Sequence, residues 1–557
     1  MESTTESVPV SGGASLATLV TLPGPGSYPV VIVRTVYGRR NLLGLGNLLS
    51  NHGYASIIQD VRGSGDSSGK FNFLAQEPED ALETTQWILR QPWCDGRLAI
   101  LGISYLSSAS IAIAAEFPEH VKAAVWVTIP AGKEILCFQG GALRLHHTLP
   151  WVYMKEAPLS SFDPEAYYTK TPLIDAIPQN LDSRWSLILK DGPRSEFWRK
   201  NDLWHYIERV RVPGLHFGGW FDFLLDATLV PYSQMNRSGA PQRLVLGPWS
   251  HNGVVGTEKI SGDISYGCPA GILREINTSS HFMDECIRWL DYWVKKMGEV
   301  SAWRPVRCFF TGDRPHWQEL DSWPAPGGIM RMYLGSKGIQ AGRRTEGAHA
   351  RGILSTDLAS MENATALCDS FVYNPENPTP TEGGAVWAFT KASLIPGPAV
   401  SSVHLRDDVL IYDSEMLGDP LKICGIPQVE LYASSSAPDT DFTAIILDVD
   451  QDGVARYVSD GIIRARYRNS LEIEEFLEPG ETYLFRISMK GCAHTFGPGH
   501  RVRLVISSSN FPKFDRNPNT GEPIYQTRAM REAVQTVYYG AATSSALIMP
   551  TPIGPSL

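Results

Sequence analysis

The residue with the clearest chemical signature is Ser104, within Gly102-Ile103-Ser104-Tyr105-Leu106-Ser107. The apolar stretch Leu98-Ala99-Ile100-Leu101 precedes this motif, and a run of small residues typical of a helix follows it. A serine on a tight strand-to-helix turn is a nucleophile elbow, whose hydroxyl projects above the sheet while small neighbours let the turn close. The backbone N–H of Tyr105 would then point to the place where an oxyanion forms. The pattern predicts acyl transfer through an ester of Ser104.

Two more candidate catalytic residues, Asp222 and His251, each follow an apolar strand later in the chain. The order Ser, Asp, His is that of an α/β-hydrolase triad. His251 would take the Ser104 proton and return it to the leaving group, while Asp222 would fix the imidazole tautomer. Asp226 competes for the acid role, but Asp222 comes first after its strand and is favoured. His216 lies inside an apolar strand and is expected in the core.

The elements needed to position these residues change in character along the chain. Segments 1–130 and 213–314 alternate strands and helices, which predicts a mostly parallel sheet and hence an α/β-hydrolase domain. Between them, segment 131–212 is rich in aromatic residues and prolines and is expected to form a helical cap over the site. Segment 315–557 contains short strands broken by turn residues, which predicts an all-β sandwich. A free-standing sandwich could instead be a carbohydrate-binding module.

Several motifs together resemble the cocaine esterase group of serine hydrolases, which also holds α-amino acid ester hydrolases and X-Pro dipeptidyl-peptidase-like enzymes. The similar stretches span almost the whole chain: Val33-Arg34-Thr35-Val36-Tyr37, Gln59-Asp60-Val61-Arg62-Gly63-Ser64-Gly65, Trp93-Cys94-Asp95-Gly96, Gly102-Ile103-Ser104-Tyr105, Gly219-Trp220-Phe221-Asp222, Gly247-Pro248-Trp249-Ser250-His251 and Ser507-Ser508-Ser509-Asn510-Phe511-Pro512. The resemblance implies that the Tyr37 hydroxyl completes the oxyanion hole beside the Tyr105 N–H. It also implies that the sandwich is a jelly roll that packs on the hydrolase domain.

The expected reaction is hydrolysis of a carboxylic ester or activated amide. Six apolar residues are expected to shape the substrate site, and their bulk suggests a large or aromatic acyl group: Trp151, Trp220, Leu224, Trp249, Trp387 and Phe389. For Trp387 and Phe389, simple core packing is an equal alternative. Two departures from the family limit the inference: Ser107 replaces the usual elbow glycine, and the cap has little similarity to that of cocaine esterase.

Other functions stay open. The same triad could transfer an acyl group to an alcohol or amine, or release a thioester-bound chain. The dipeptidyl-peptidase and α-amino acid ester hydrolase activities rank lower, because no acidic cluster that would bind a substrate α-amino group is identifiable. A non-catalytic binding protein ranks last, because all three triad residues are present.

Composition agrees with a small-molecule enzyme. The 557 residues carry 59 acidic and 49 basic side chains, a net charge of −10, which argues against nucleic acid or an anionic membrane as partner. The N-terminus has no signal-peptide pattern, so a cytoplasmic location is expected. The eight cysteines show no metal-ligand spacing, and neither metal nor cofactor is expected. The glycine-rich stretch after Asp60 fits no phosphate-binding fingerprint and is interpreted as a structural turn. The family resemblance implies a homodimer.

Overall fold

The structure is a computed structural model that describes residues 2–154, 159–177, 183–255, 260–262, 264–266, 281–335, 351–358, 368–387, 394–539 and 542–552. The described strands of the first half are β1 (Glu2–Val10), β2 (Ala14–Leu22), β3 (Tyr28–Thr35), β4 (Ala55–Asp60), β5 (Cys94–Ile103), β6 (Val121–Val127), β7 (Phe138–Gln139), β8 (Ala142–Leu143), β9 (Gly214–Phe221), β10 (Gln242–Ser250), β11 (Ile260–Ser261), β12 (Ile264–Ser265), β13 (Val306–Gly312) and β14 (His316–Leu320).

The second half is built almost entirely of strands. They are β15 (Gly327–Gly335), β16 (Arg351–Ser355), β17 (Cys368–Tyr373), β18 (Leu410–Ser414), β19 (Leu421–Gly425), β20 (Gln428–Ser435), β21 (Asp441–Val449), β22 (Ala455–Arg464), β23 (Tyr483–Ser488), β24 (Cys492–Phe496), β25 (Arg501–Ser507), β26 (Ala533–Tyr538) and β27 (Ala546–Pro552).

The α-helices of the described residues lie between residues 43 and 290. They are α1 (Leu43–Asn51), α2 (Glu77–Leu89), α3 (Tyr105–Ser108), α4 (Ile111–Glu116), α5 (Lys133–Leu136), α6 (Leu145–Tyr153), α7 (Pro164–Tyr168), α8 (Ser183–Leu189), α9 (Glu196–Lys200), α10 (Trp204–Ile207), α11 (Asp226–Asn236), α12 (His251–Val255) and α13 (His281–Leu290).

A large sheet forms the centre of the N-terminal domain, in the order β1-β2-β4-β3-β5-β6-β9-β10-β13. From β4 to β13 every neighbouring pair is parallel. The central strand β3 carries the run Val30–Val33, each residue fully buried, as expected for a parallel strand covered by helices on both faces. Parallel strands bring their carboxyl ends to one edge, so the ends of β5, β9 and β10 meet there.

Segment 131–212, which was expected to form a helical cap, contains α5 to α10 and also a two-stranded hairpin of β7 and β8 that its sequence did not suggest. The hairpin packs on the C-terminal half: Gly140 accepts a backbone hydrogen bond from Arg464, and the Leu143 N–H donates to Asp515 Oδ1 at 2.7 Å. Arg464 also holds Asp515 by a buried ion pair at 3.0 Å, so the hairpin is attached to the β-domain by hydrogen bonds to residues that are themselves fixed in place.

The C-terminal half is a β-rich sandwich. Ten strands form a path of the order β17-β26-β20-β27-β15-β16-β18-β25-β21-β22, with β23 beside β20. A second layer, β19 and β24, packs its Ile423 and Phe496 into the same core as Leu431 and Phe442 of the larger sheet. The second layer also joins the N-terminal sheet, since β24 pairs in parallel with β13 through Thr311 and Gly312. The sandwich is therefore integral to the hydrolase fold.

The glycine-rich stretch after Asp60 is a structural turn. Gly65 has φ +54°, and a Cβ there would lie 2.2 Å from Asp60 Oδ2. Arg62 ties the loop to α2 by an ion pair with Asp80, and Asp60 binds Arg39. These carboxylates and cations pair with one another, so the ion pairs fix the conformation of the loop.

Candidate active site

The structure shows a strained nucleophile elbow at Ser104, between β5 and α3. Ser104 has φ 55° and ψ −124°, a backbone conformation that non-glycine residues rarely adopt and that occurs at catalytic turns. Gly102 is required for this turn, since a Cβ there would lie 2.5 Å from the Ser107 Cα. Ser107, in place of the family glycine, is accommodated as a fully buried residue whose Oγ has no hydrogen-bond partner among the described residues.

Asp222 and His251 form an acid–base pair at the ends of the neighbouring strands β9 and β10. Both carboxylate oxygens of Asp222 lie 3.0 Å from His251 Nδ1. Asp222 is fully buried, and its Oδ1 also accepts the Leu224 N–H at 2.7 Å. A carboxylate at Nδ1 places the imidazole proton on that nitrogen, which leaves Nε2 as the proton acceptor. Ser104 and His251 line one cavity.

The competing acid, Asp226, is engaged elsewhere. Its Oδ2 lies 2.6 Å from Arg144 and 2.5 Å from Lys490. Although burial alone would raise it, these two cations lower the pKa of Asp226 to about 2. His216 likewise belongs to the core, where its Nε2 lies 2.8 Å from Gln242 Oε1.

Tyr37, the expected second oxyanion donor, lies at the opening of the cavity. It follows β3 and lines the same cavity as Ser104, with its side chain 41% exposed at the opening. Trp151 Nε1 donates to the Tyr37 hydroxyl at 3.4 Å, so the phenol oxygen accepts a hydrogen bond there. Desolvation by the cavity walls raises the pKa of Tyr37, which keeps the hydroxyl protonated at neutral pH.

A buried ionic group behind the elbow holds Tyr105. The Tyr105 hydroxyl donates to Glu77 Oε1 at 2.8 Å, and Glu77 pairs with Arg34 at 3.1 Å. Burial raises the pKa of Glu77, an effect that Arg34 opposes. Sequence reasoning did not single out Arg34 or Glu77; the available signal was an arginine inside the apolar strand β3.

The cavity beside Ser104 has mostly apolar walls and about 620 Å³ of empty space, counting its opening to solvent. Of the six residues expected to shape the substrate site, Trp151, Leu224 and Trp387 line it. Phe389 lies outside the described residues. Further lining residues, which sequence reasoning did not propose, are Phe73, Leu136, His147, Ile188, Trp198 and Phe223.

Trp220 and Trp249 do not line this cavity, contrary to expectation. Trp220 Nε1 donates to the Phe309 carbonyl at 2.7 Å, and its ring packs on Trp323. The Trp249 ring covers Gly247 and packs on Trp317, with centroids 5.6 Å apart. Both side chains belong to the core between the sheet and its neighbouring layers.

Within the described residues, no group of three or more histidine, cysteine or carboxylate side chains is arranged to hold a metal ion. The described helices include none with the length and hydrophobicity to span a membrane. The seven described cysteines are free thiols.

A parallel sheet that presents Ser104 on an elbow, with Asp222 and His251 paired beside it, defines an α/β-hydrolase of the serine type. Residues 12–253 match the X-Pro dipeptidyl-peptidase (S15 family) profile, and residues 292–548 match the X-Pro dipeptidyl-peptidase C-terminal non-catalytic domain. Cocaine esterase from Rhodococcus sp. (strain MB1 Bresler) is 32% identical, over 98% of this chain and 97% of its own. The chain belongs to this family of serine hydrolases.

Solved structures share the whole fold. An α-amino acid ester hydrolase superposes with a TM-score of 0.81 at 22% identity, covering 99% of this chain and 96% of that one. An aminopeptidase from a marine sediment Thaumarchaeota archaeon superposes with a TM-score of 0.80 at 23% identity, covering 98% and 96%. At these identities the likeness establishes the architecture, an N-terminal α/β-hydrolase domain followed by a β-rich domain.

Proposed function

We propose that this protein is a serine esterase that hydrolyses small or medium carboxylic esters through an acyl-Ser104 intermediate. The observation that carries the proposal is the pairing of Asp222 with His251 Nδ1 beside a strained elbow serine in a largely apolar cavity. The tryptophans and phenylalanines of the cavity favour an acyl group with substantial apolar surface.

The reaction follows from the geometry in two halves. His251 Nε2 takes the Ser104 proton as Oγ attacks the ester carbonyl, and the Tyr105 N–H and Tyr37 hydroxyl stabilise the oxyanion. Collapse breaks the bond to the alkoxy group, which leaves with the proton held on His251. A water molecule, deprotonated by His251, then attacks the acyl-enzyme and releases the carboxylic acid, and Ser104 regains its proton.

Peptidase and α-amino acid ester hydrolase activities are less well supported by the cavity. Such substrates carry a free α-ammonium group, which requires a carboxylate or a set of acceptors to bind it. Among the described residues that line the cavity there is no aspartate or glutamate. Acyl transfer to an alcohol or amine would use the same triad with a different acceptor.

The test is turnover of p-nitrophenyl esters of short, long and aromatic acids, with glycyl-prolyl-p-nitroanilide alongside. We expect ester hydrolysis that Ser104→Ala abolishes and that Ser110→Ala retains. Ser110 is a buried serine six residues further on, and its hydroxyl has no hydrogen-bond partner among the described residues. Serine-dependent cleavage of the anilide would make the protein a dipeptidyl-peptidase. Absence of any serine-dependent turnover would contradict the hydrolase proposal.

We also propose a cytoplasmic location and a homodimeric state. The free thiols of the described cysteines support a reducing compartment. Cell fractionation tests the location, and sedimentation velocity tests the dimer.

A further inference from the structure

A second, smaller cavity adjoins the active-site cavity and differs from it in charge. His147, Phe223 and Trp387 line both. The smaller cavity is also lined by three cationic side chains, Arg144, Lys490 and Lys513, and by His146. The catalytic cavity has largely apolar walls, so these cations are the main charged groups within reach of a substrate bound at Ser104.

The cations outnumber the carboxylates that pair with them. Asp226 serves both Arg144 and Lys490, and Asp460 serves Lys513 at 2.6 Å. All three cationic residues are buried, at 2–6% exposed. Among the described residues of this cluster, three positive charges therefore face two negative ones, and one positive charge is left without a matching anion.

The pKa values of the cluster reflect the same excess of positive charge. Burial first, and then Arg144, lower the pKa of Lys490 to about 8 against the opposing effect of Asp226. Burial first, and then the neighbouring cations, lower the pKa of both histidines, that of His146 to about 3. Both imidazoles are accordingly neutral at pH 7 and add no positive charge.

The cluster also retains hydrogen-bonding capacity. Arg144 uses its terminal nitrogens on Asp226 and on the carbonyl groups of Ile135 and Phe223. Its Nε is buried and has no partner among the described residues. A buried guanidinium N–H without an acceptor is costly unless a ligand supplies one, and a carboxylate is the acceptor that guanidinium binds best.

We propose that this smaller cavity is an anion subsite, and that the preferred substrates are esters that carry a free carboxylate. The inference rests on the proposed esterase function and names its substrate class. A carboxylate there would bring the cluster to neutrality and accept from the ammonium groups of Lys490 and Lys513. The apolar walls near Ser104 would bind the chain that links this carboxylate to the ester.

The test compares matched acids and methyl esters. In the first series, the mono-p-nitrophenyl esters of adipic and suberic acid are assayed against the same compounds with the free carboxylate converted to a methyl ester. In the second series, O-acetyl hydroxyphenylacetic acid is assayed against its methyl ester. Spontaneous hydrolysis is subtracted in both series. We expect wild type to favour the carboxylate by about tenfold or more in kcat/KM in at least one series. A preference for the neutral compound in both series overturns the anion subsite, while serine-dependent turnover of the neutral esters still supports the esterase.

Variants test whether the cationic residues cause the preference for a free carboxylate. Lys490→Met leaves Asp226 paired with Arg144 and removes the excess charge, so the acid-to-methyl-ester ratio should fall about tenfold, whereas Lys490→Arg should retain it. Because the ratio is taken within each variant, general damage to the enzyme cancels. Lys200→Met, an exposed cap lysine paired with Glu196, is the matched control and should keep the wild-type ratio. If Lys490→Met does not fold, Lys513→Met is used. A ratio unchanged in the folded variant refutes the proposal.

Discussion

Replacing Glu77 by glutamine should lower both stability and catalytic rate. Glu77 and Arg34 form a buried ion pair that holds the side chain of Tyr105, the residue whose backbone N–H we propose as an oxyanion donor. Glu77 is 4% exposed and Arg34 is fully buried. In Glu77→Gln the amide oxygen can still accept from Tyr105, but the guanidinium of Arg34 loses its counter-charge. Removing one partner of a buried ion pair costs about 3–5 kcal/mol, since the remaining charge is left uncompensated.

The catalytic effect follows from position. Tyr105 lies immediately after Ser104, and its hydroxyl is held by Glu77 at 2.8 Å and by the Leu74 N–H at 3.3 Å. A shift of this residue moves the backbone N–H that we propose as an oxyanion donor, and misplacement by about 1 Å can cost 10²-fold in rate. We expect kcat of Glu77→Gln to fall about 10- to 100-fold with KM little changed, since Glu77 does not touch the substrate.

Urea unfolding and steady-state kinetics measure the two effects. The control is Glu79→Gln, the same chemical change in the same first turn of α2, at an exposed position. If Glu77→Gln unfolds at the same urea concentration as Glu79→Gln and has the same kcat, the buried group neither stabilises the fold nor positions Tyr105, and the reasoning is refuted.

Three further predictions concern single residues. Tyr37→Phe should lower kcat about 10²- to 10³-fold with a small change in KM, the loss typical of one oxyanion donor; unchanged kcat would remove Tyr37 from the oxyanion hole. Gly102→Ala should abolish ester turnover, because its Cβ would lie 2.5 Å from the Ser107 Cα and the elbow would have to open; activity titration with a serine-directed phosphonate checks this, and full labelling would contradict it. Lys490, with its folded pKa near 8 against an ordinary 10.5, loses its proton earlier in the folded than in the unfolded chain. Stability of wild type relative to Lys490→Met should therefore rise by about 3 kcal/mol between pH 8 and 10.5, and urea unfolding at both pH values that shows no relative rise would contradict the burial of a charged amine.

That Ser104, Asp222 and His251 lie close together could be predicted from the sequence, because each follows an apolar strand directly. Parallel strands deliver their carboxyl ends to one edge of the sheet, so position along the chain was enough to place Ser104, Asp222 and His251 together. The choice of Asp222 over Asp226 also followed from position, and the structure explains it by the engagement of Asp226 with Arg144 and Lys490.

The direction in which each side chain points could not be predicted from the sequence in the same way. Trp220 and Trp249 stand two residues before Asp222 and His251, but the tryptophans lie inside β9 and β10, whereas Asp222 and His251 follow the strand ends. The alternation of side chains along a strand does not continue past its end, so it does not fix the relative directions of these side chains. Proximity in sequence therefore did not bring either tryptophan to the cavity. Phe223 and His147, which do line it, lie in a turn and in a cap helix whose orientation depends on tertiary packing.

Buried ionic partners were equally inaccessible, because they come from separate elements. Arg34 and Glu77 are 43 residues apart, and Lys490 meets Asp226 across 264 residues. Neither pairing produces a periodic pattern of residues in the sequence. Strands and helices do produce such a pattern, and their alternation predicted the α/β-hydrolase fold.

Because β13 pairs with β24, the two halves of this enzyme depend on each other for a complete sheet. Thr311 Oγ1 donates to the Ala493 carbonyl at 3.1 Å, and the Asp313 N–H donates to that of Thr495 at 2.8 Å. Cutting the chain after residue 314 would leave the carboxyl end of β13 with unpaired backbone groups along a newly opened sheet border, a template for self-association. The catalytic half should therefore precipitate when it is expressed alone, and the two halves should be recovered in active form only when they fold together.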